Sequence, residues 1–198
     1  MNSIYSFIIK PKENRYNNIK KINNKSLILN TSIEDHRFVS RSAIVVALPK
    51  AIKTNIKIGD EIIVHHNVFR RFYDMQGEEK NSGNYFKEDL YFCYLDQIFL
   101  FKQKNNWKAI DGYCFIQPIK KENNTFISED KEEPLKGFIT YSDGSYGINK
   151  LVGFSPESEY EFIIDKKRLY RVPIKSITIE YDSKGTEKPY NPEWVQSS

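Results

Sequence analysis

Leu90-Tyr91-Phe92-Cys93-Tyr94-Leu95-Asp96-Gln97-Ile98-Phe99-Leu100 lies without a gap against Leu169-Tyr170-Arg171-Val172-Pro173-Ile174-Lys175-Ser176-Ile177-Thr178-Ile179. Leu, Tyr and Ile recur at equivalent places, and apolar character coincides at most of the others. The first copy, apolar from Leu90 to Phe101, reads as two short strands broken near Asp96. Working outward, Ile58-Gly59-Asp60-Glu61-Ile62-Ile63-Val64 matches Ile148-Asn149-Lys150-Leu151-Val152-Gly153-Phe154, again without a gap. Ala43 to Leu48, an aliphatic strand closed by Pro49, stands where Leu135 to Tyr141 stands. The opening Tyr5-Ser6-Phe7-Ile8-Ile9-Lys10-Pro11 is echoed by Tyr113-Cys114-Phe115-Ile116-Gln117-Pro118, each stopped by a proline that has no amide to give a ladder. Inward-facing positions of a sheet are fixed by packing, so a copied fold keeps its pattern after its identities drift. The ordered matches predict an internal duplication.

Glycine and proline are sparse, at 9 and 8, while 13 Tyr and 13 Phe join β-branched residues in short runs. That composition predicts an all-β chain and argues against long helices or a coiled coil. The 198 residues suffice for one large domain or two small ones. The first unit spans 1–102, with a long polar loop over 13–32 and an insertion over 67–87. A linker follows over 103–112, where residues 102 to 106 have no large apolar member. The second unit spans 113–181, and 182–198 is an irregular tail partly ordered by its aromatics.

Lys and Arg number 18 against 11 Asp and Glu over residues 1–110, and 12 against 15 over 111–198. Acids punctuate nearly every basic stretch, which disfavours nucleic-acid binding, because such surfaces gather positive charge into a stripe. No apolar run approaches the ~20 residues of a membrane-spanning helix, and the N-terminus lacks a signal-peptide pattern. A cytoplasmic site of action, without membrane contact, is expected. Cys93 and Cys114 are too few for a disulfide framework and read as buried thiols.

Read as one unit, the first half has a strand ending in Lys10-Pro11, then a polar loop carrying the apolar tripeptide Leu27-Ile28-Leu29. The Val45-Val46 strand and the Ile58-Gly59-Asp60 turn follow. That order resembles the GroES-type co-chaperonins. The family's Val-Gly-Asp before a strand is similar to Ile58-Gly59-Asp60 before Ile62-Ile63-Val64. Its ending is similar to Glu88-Asp89-Leu90-Tyr91-Phe92 and Asp96-Gln97-Ile98-Phe99. The resemblance implies two tandem GroES-like irregular antiparallel β-barrels, like the double-domain co-chaperonins of plastids. It also implies a homo-oligomeric ring and a GroEL-type chaperonin as partner, bound through Leu27, Ile28 and Leu29 on a mobile loop. The content of Asn, Lys and Ile suggests a bacteriophage-borne version acting in a host cytoplasm. Departures are plain: Lys25-Ser26 replaces the Gly-Gly before the tripeptide, Asn149-Lys150 replaces the second Gly-Asp, and the second polar loop offers only Thr125-Phe126-Ile127-Ser128.

Three aliphatics docking in a groove bury about 300 Å², on the order of 7 kcal/mol at ~25 cal/mol/Å² before ordering costs. One loop then binds weakly, and a ring of them binds by avidity. The plain alternative makes Leu27 to Leu29 an ordinary edge strand. Gly59 and Asp60 are expected to shape a barrel turn. Phe69-Arg70-Arg71-Phe72-Tyr73 alternates cations and rings that suit phosphate and base stacking, but the lone cluster fits a subunit or cavity-wall contact better. His65-His66 fails as a metal pair, since neighbours on a strand face opposite ways, and His36 reads as a solvated loop residue. Glu157, Glu159, Glu161 and Asp165 supply carboxylates without a pocket, so neither an enzyme nor a cofactor is expected. The functional expectation is a chaperonin lid; the alternative is a phage structural or assembly protein that kept the fold and lost the chaperonin.

Overall fold

Pairing of residues far apart in sequence organises the computed structural model, which describes residues 3–22, 25–28, 32–121 and 131–196. The chain is all-β: among the described residues, 17 strands are joined by short 3-10 turns, and one helical turn lies at Glu193–Gln196. It divides into two units, Met1–Trp107 and Lys108–Ser198. No helix among the described residues is long and apolar enough to cross a membrane.

In the first unit, β1 (Phe7–Pro11) pairs antiparallel with β4 (Ser42–Ala47) and with β9 (Leu90–Cys93). Beyond β4 come β5 (Glu61–Val64) and β10 (Ile98–Gln103), and beyond β9 comes β8 (Tyr85–Lys87). A last strand, β11 (Asn106–Ala109), joins at the β10 edge. Two hairpins stand outside this sheet: β2 (Ile19–Ile22) with β3 (Lys25–Ile28), and β6 (Arg71–Tyr73) with β7 (Glu79–Asn81). β4 alternates buried Ala43, Val45 and Ala47 with half-buried neighbours, so one face meets the core. Around it Phe7, Ile9, Ile62, Val64, Val68, Phe69, Tyr91, Cys93 and Leu100 are sealed from solvent.

The second unit has a sheet of β12 (Tyr113–Lys120), β13 (Glu132–Ser142), β14 (Leu151–Phe154), β15 (Tyr160–Ile164), β16 (Lys167–Pro173) and β17 (Ile177–Tyr181). Its order, β15-β16-β12-β13-β14-β17, is the order β8-β9-β1-β4-β5-β10 of the first unit. The agreement extends to single residues. Phe7 faces Cys93 as Cys114 faces Val172, and Ile9 faces Val45 as Ile116 faces Ile139. The irregularity after Ile8 recurs after Phe115. The one between Ile98 and Leu100 on β10 recurs between Gly153 and Phe154 on the partnering strand of the second unit. A bulge re-aims a strand and pins its register, so shared bulges mark a shared fold more sharply than shared strands do. Among the described residues the strands of each sheet pair in a linear order.

The Gly-Asp turn has a counterpart of the same geometry in the second unit. Gly59 has φ +91°, donates its amide to the Val45 carbonyl at 2.8 Å, and the Val45 amide reaches the Asp60 carbonyl at 3.0 Å. Asn149 has φ 62°, donates to Ile139 at 2.7 Å, and Ile139 reaches Lys150 at 3.0 Å. Asparagine is among the few residues that tolerate the left-handed region, so the second turn takes the same shape without a glycine.

Three expectations are corrected. Residues 13–25 are not an open loop throughout, because they contain β2 and the start of β3. The segment 103–112 is folded: Lys104 and Asn105, at φ 47° and 70°, turn the chain from β10 into β11, and Trp107 is buried beneath the Lys102 ammonium, 5.1 Å from the ring. Two successive left-handed residues give the twist a tight hairpin needs. The tail is not irregular throughout: backbone bonds and a buried aliphatic residue help to hold it, and it includes a helical turn at Glu193–Gln196. Lys120 N donates to Lys188 O at 2.8 Å, Tyr190 N to Pro118 O at 2.7 Å, and Val195 is buried while Trp194 is 52% exposed.

Candidate functional site

The polar stretch after β1 forms an arm whose two limbs meet at a neck. Asn17 N donates to Phe38 O at 2.8 Å, Ser40 N to Arg15 O at 3.0 Å, and Tyr16 bridges Val39. Beyond the neck the outgoing limb becomes β2 and turns into β3, with Lys20 opposite Leu27 and Ile19 opposite Ile28. Local pairing satisfies the backbone here in a stretch with few apolar residues, which is why its composition reads as a loop. Leu27 is 52% exposed, Ile28 lies beside it in β3, and Leu29 falls outside the described residues. Thr125 to Ser128, the counterpart in the second unit, fall outside them too.

The root of the arm rests on Tyr16, an apolar anchor of the polar stretch, and on Arg15, which sequence reasoning did not single out. Tyr16 is buried; its hydroxyl donates to Ile33 O at 2.7 Å and accepts the Arg71 amide at 2.8 Å. Arg15 spreads its guanidinium over the insertion, donating to Phe69 O, to Arg70 O at 3.1 Å and to Asn81 Oδ1 at 2.6 Å, with Tyr91 5.3 Å below. Tyr73 N adds a bond to Glu34 Oε1 at 3.3 Å on the returning limb. The arm and the insertion therefore form one polar joint. An arginine after the strand-ending proline is the one sequence signal for it, since a planar fork of five donors suits gathering several carbonyls.

This joint changes the reading of the aromatic-basic cluster. Phe69 is in the core, edge-on to Tyr91 at 4.8 Å, and offers nothing to a base. Arg71 lies over the Tyr16 ring at 4.8 Å and pairs with Glu79 at 2.7 Å. Arg70 contributes its carbonyl to the joint, while Phe72 and Tyr73 remain exposed at 38% and 51%. The cluster is divided among core, arm root and surface, which removes the continuous stacking track a single strand of nucleic acid needs.

Gly59 and Asp60 shape a turn as expected from their types: Asp60 Oδ2 accepts the Lys57 amide at 2.8 Å. The histidines differ from expectation. His65 and His66 do not sit on one strand, because β5 ends at Val64 and His66 opens a 3-10 turn capped by His65. Their rings stack at 4.3 Å, and His36, on the 3-10 turn His36–Phe38 of the returning limb, approaches His66 at 5.2 Å. Among the described residues no group of three or more His, Cys, Asp or Glu is arranged to hold a metal. Burial above all, then His65, Arg41, His36 and Arg70, holds the His66 imidazole down to about 4. Glu161 is engaged by Arg168 at 3.0 Å, and Cys93 and Cys114 are buried thiols pushed well up by burial.

No family model matches this chain, and no curated protein matches it.

Proposed function

We propose that this chain is a co-chaperonin of the GroES type: two barrel-like units per chain, assembled in a homo-oligomeric ring that caps a GroEL-type chaperonin and assists ATP-dependent folding. The observation that carries this reading is the β2–β3 arm. It stands outside the main sheet, presents Leu27 at 52% exposure, and its two limbs are bonded together at a neck. A hairpin on a neck delivers an aliphatic patch to a groove, and several arms on a ring supply the avidity that one arm lacks. The repeated register of the two units adds support, because two copies of one sheet suit a ring built from repeated units. The role is binding rather than catalysis, exerted in the cytoplasm, a host's if the chain is phage-borne. Replacing Leu27, Ile28 and Leu29 together by Ser is expected to abolish co-elution with the chaperonin in nucleotide while circular dichroism stays unchanged. Undiminished co-elution of the triple variant refutes the assignment.

One observation favours a second reading, a phage structural or assembly protein without a chaperonin: Leu27 and Ile28 are already paired within a hairpin. On that reading the triple variant loses nothing, because the unaltered chain does not co-elute either.

A further inference from the structure

All three histidines of the sequence meet at one place. His36 arrives on the returning limb of the arm, while His65 and His66 leave the end of β5, where Val64 is fully buried. One partner of the contact therefore belongs to the arm and the other follows a core strand of the unit. We infer that the His36–His66 contact is a proton-operated latch that holds the returning limb of the arm at neutral pH and releases it on mild acidification. The inference concerns the arm's attachment and does not depend on what the arm binds.

Charge around the contact is one-sided. His66 faces His65 on its own turn, Arg41 on the approach to β4, Arg70 on the insertion and His36 on the limb, all basic. The nearest carboxylate on the limb, Asp35, is occupied: its oxygens accept from Arg37 Nε at 3.0 Å and Nη2 at 2.7 Å, and this partner holds it to about 2. Asp35 thus keeps the same charge throughout the range in which imidazoles titrate; it attracts a protonated His36, so the repulsion that opens the contact centres on His66. Neutral imidazoles stack, as His65 and His66 do; imidazolium groups placed ring to ring repel one another and the two arginines. The sign follows from linkage. The docked state depresses the His66 affinity for protons, so docking is fully favoured above the ordinary histidine range and weakens as pH falls below it. The bonds of Tyr16 to Ile33 and of Tyr73 to Glu34 keep the limb tethered near its root, so release means loosening rather than unfolding.

The test is backbone amide relaxation on the full chain, labelled with nitrogen-15, from about pH 7.5 to about pH 5, a floor that leaves ordinary carboxylates ionised. The expected result is a drop in the heteronuclear Overhauser effect over residues 32–40, with Ala43–Ala47 and Ile62–Val64 unchanged. The His66→Phe variant, which keeps a ring but cannot be charged, is expected to hold the limb at both pH values. His36→Lys, charged throughout, is expected to loosen it at both. If His66→Phe does not fold, His66→Gln takes its place with the same expectation. Unchanged relaxation of residues 32–40 in the unaltered chain overturns the latch, as does an undiminished pH response in the His66 variants.

Discussion

Tyr16→Phe removes one oxygen from a buried ring and nothing else, which makes it a sharp probe of the arm's root. The hydroxyl donates to Ile33 O on the returning limb and accepts from Arg71 N on the insertion, so its loss strips one bond from each. The Ile33 carbonyl lies on a half-buried surface segment and regains water at a cost of a few tenths of a kcal/mol to about 1. The Arg71 amide is less fortunate: it points at the Tyr16 ring under its own guanidinium, and an unpaired donor of that kind costs about 1–3 kcal/mol. Together these give a destabilisation of about 2 kcal/mol, without a cavity. The assay is native-state hydrogen exchange, read residue by residue. The Arg71 amide is expected to exchange roughly thirty-fold faster, the rate equivalent of that loss, and amides of Ile33 and Glu34 are expected to follow. Amides of Val45 and Val64 are expected to keep their protection. If Arg71 exchanges at the unaltered rate in Tyr16→Phe, the joint between arm and insertion is not held as described.

Gly137→Ala drives a Cβ into the Gln117 carbonyl oxygen, a backbone atom that cannot swing aside, and is expected to cost about 3 kcal/mol. For a chain of this size that lowers the thermal midpoint by roughly 6–12 °C, whereas Gly83→Ala, which meets open space, is expected to leave it unchanged or slightly raised. Calorimetry of the two variants side by side checks this, and equal midpoints would count against the packing of β12 on β13. Burial pushes the Cys114 thiol up to about 12 and Cys93 further still, so neither is expected to react with a disulfide reagent near pH 8 until denaturant is added. Spectrophotometric thiol counting before and after denaturation measures this directly, and prompt labelling of the native chain contradicts it.

Several elements of the fold were readable because burial dictates them. β1, β4, β5, β9 and β10 each carry apolar residues at positions the core fixes, and the gapless match of Leu90 to Leu100 with Leu169 to Ile179 carries into identical pairing partners. Even the broken glycine rule at Asn149 left the alignment intact, because asparagine keeps the same backbone turn. What escaped notice lacks that constraint. β2 and β3 satisfy each other's backbone with few apolar residues, so composition alone resembled a solvated loop. Lys104 and Asn105 form a tight turn without glycine, and so looked like a linker. Arg15 acts through three carbonyl or amide oxygens contributed by residues more than fifty positions away, a convergence that only tertiary pairing reveals. Strand geometry puts His65 and His66 on opposite faces only if β5 runs through His66, and it ends two residues earlier, at Val64.

The central claim is that the arm docks on a chaperonin and that the chain closes into a ring. Native mass spectrometry of the purified protein, alone and with a GroEL-type chaperonin and ATP, addresses both parts in one experiment. The account predicts a closed oligomer by itself and a defined complex with the chaperonin when nucleotide is present. A monomer that forms no complex under either condition contradicts it.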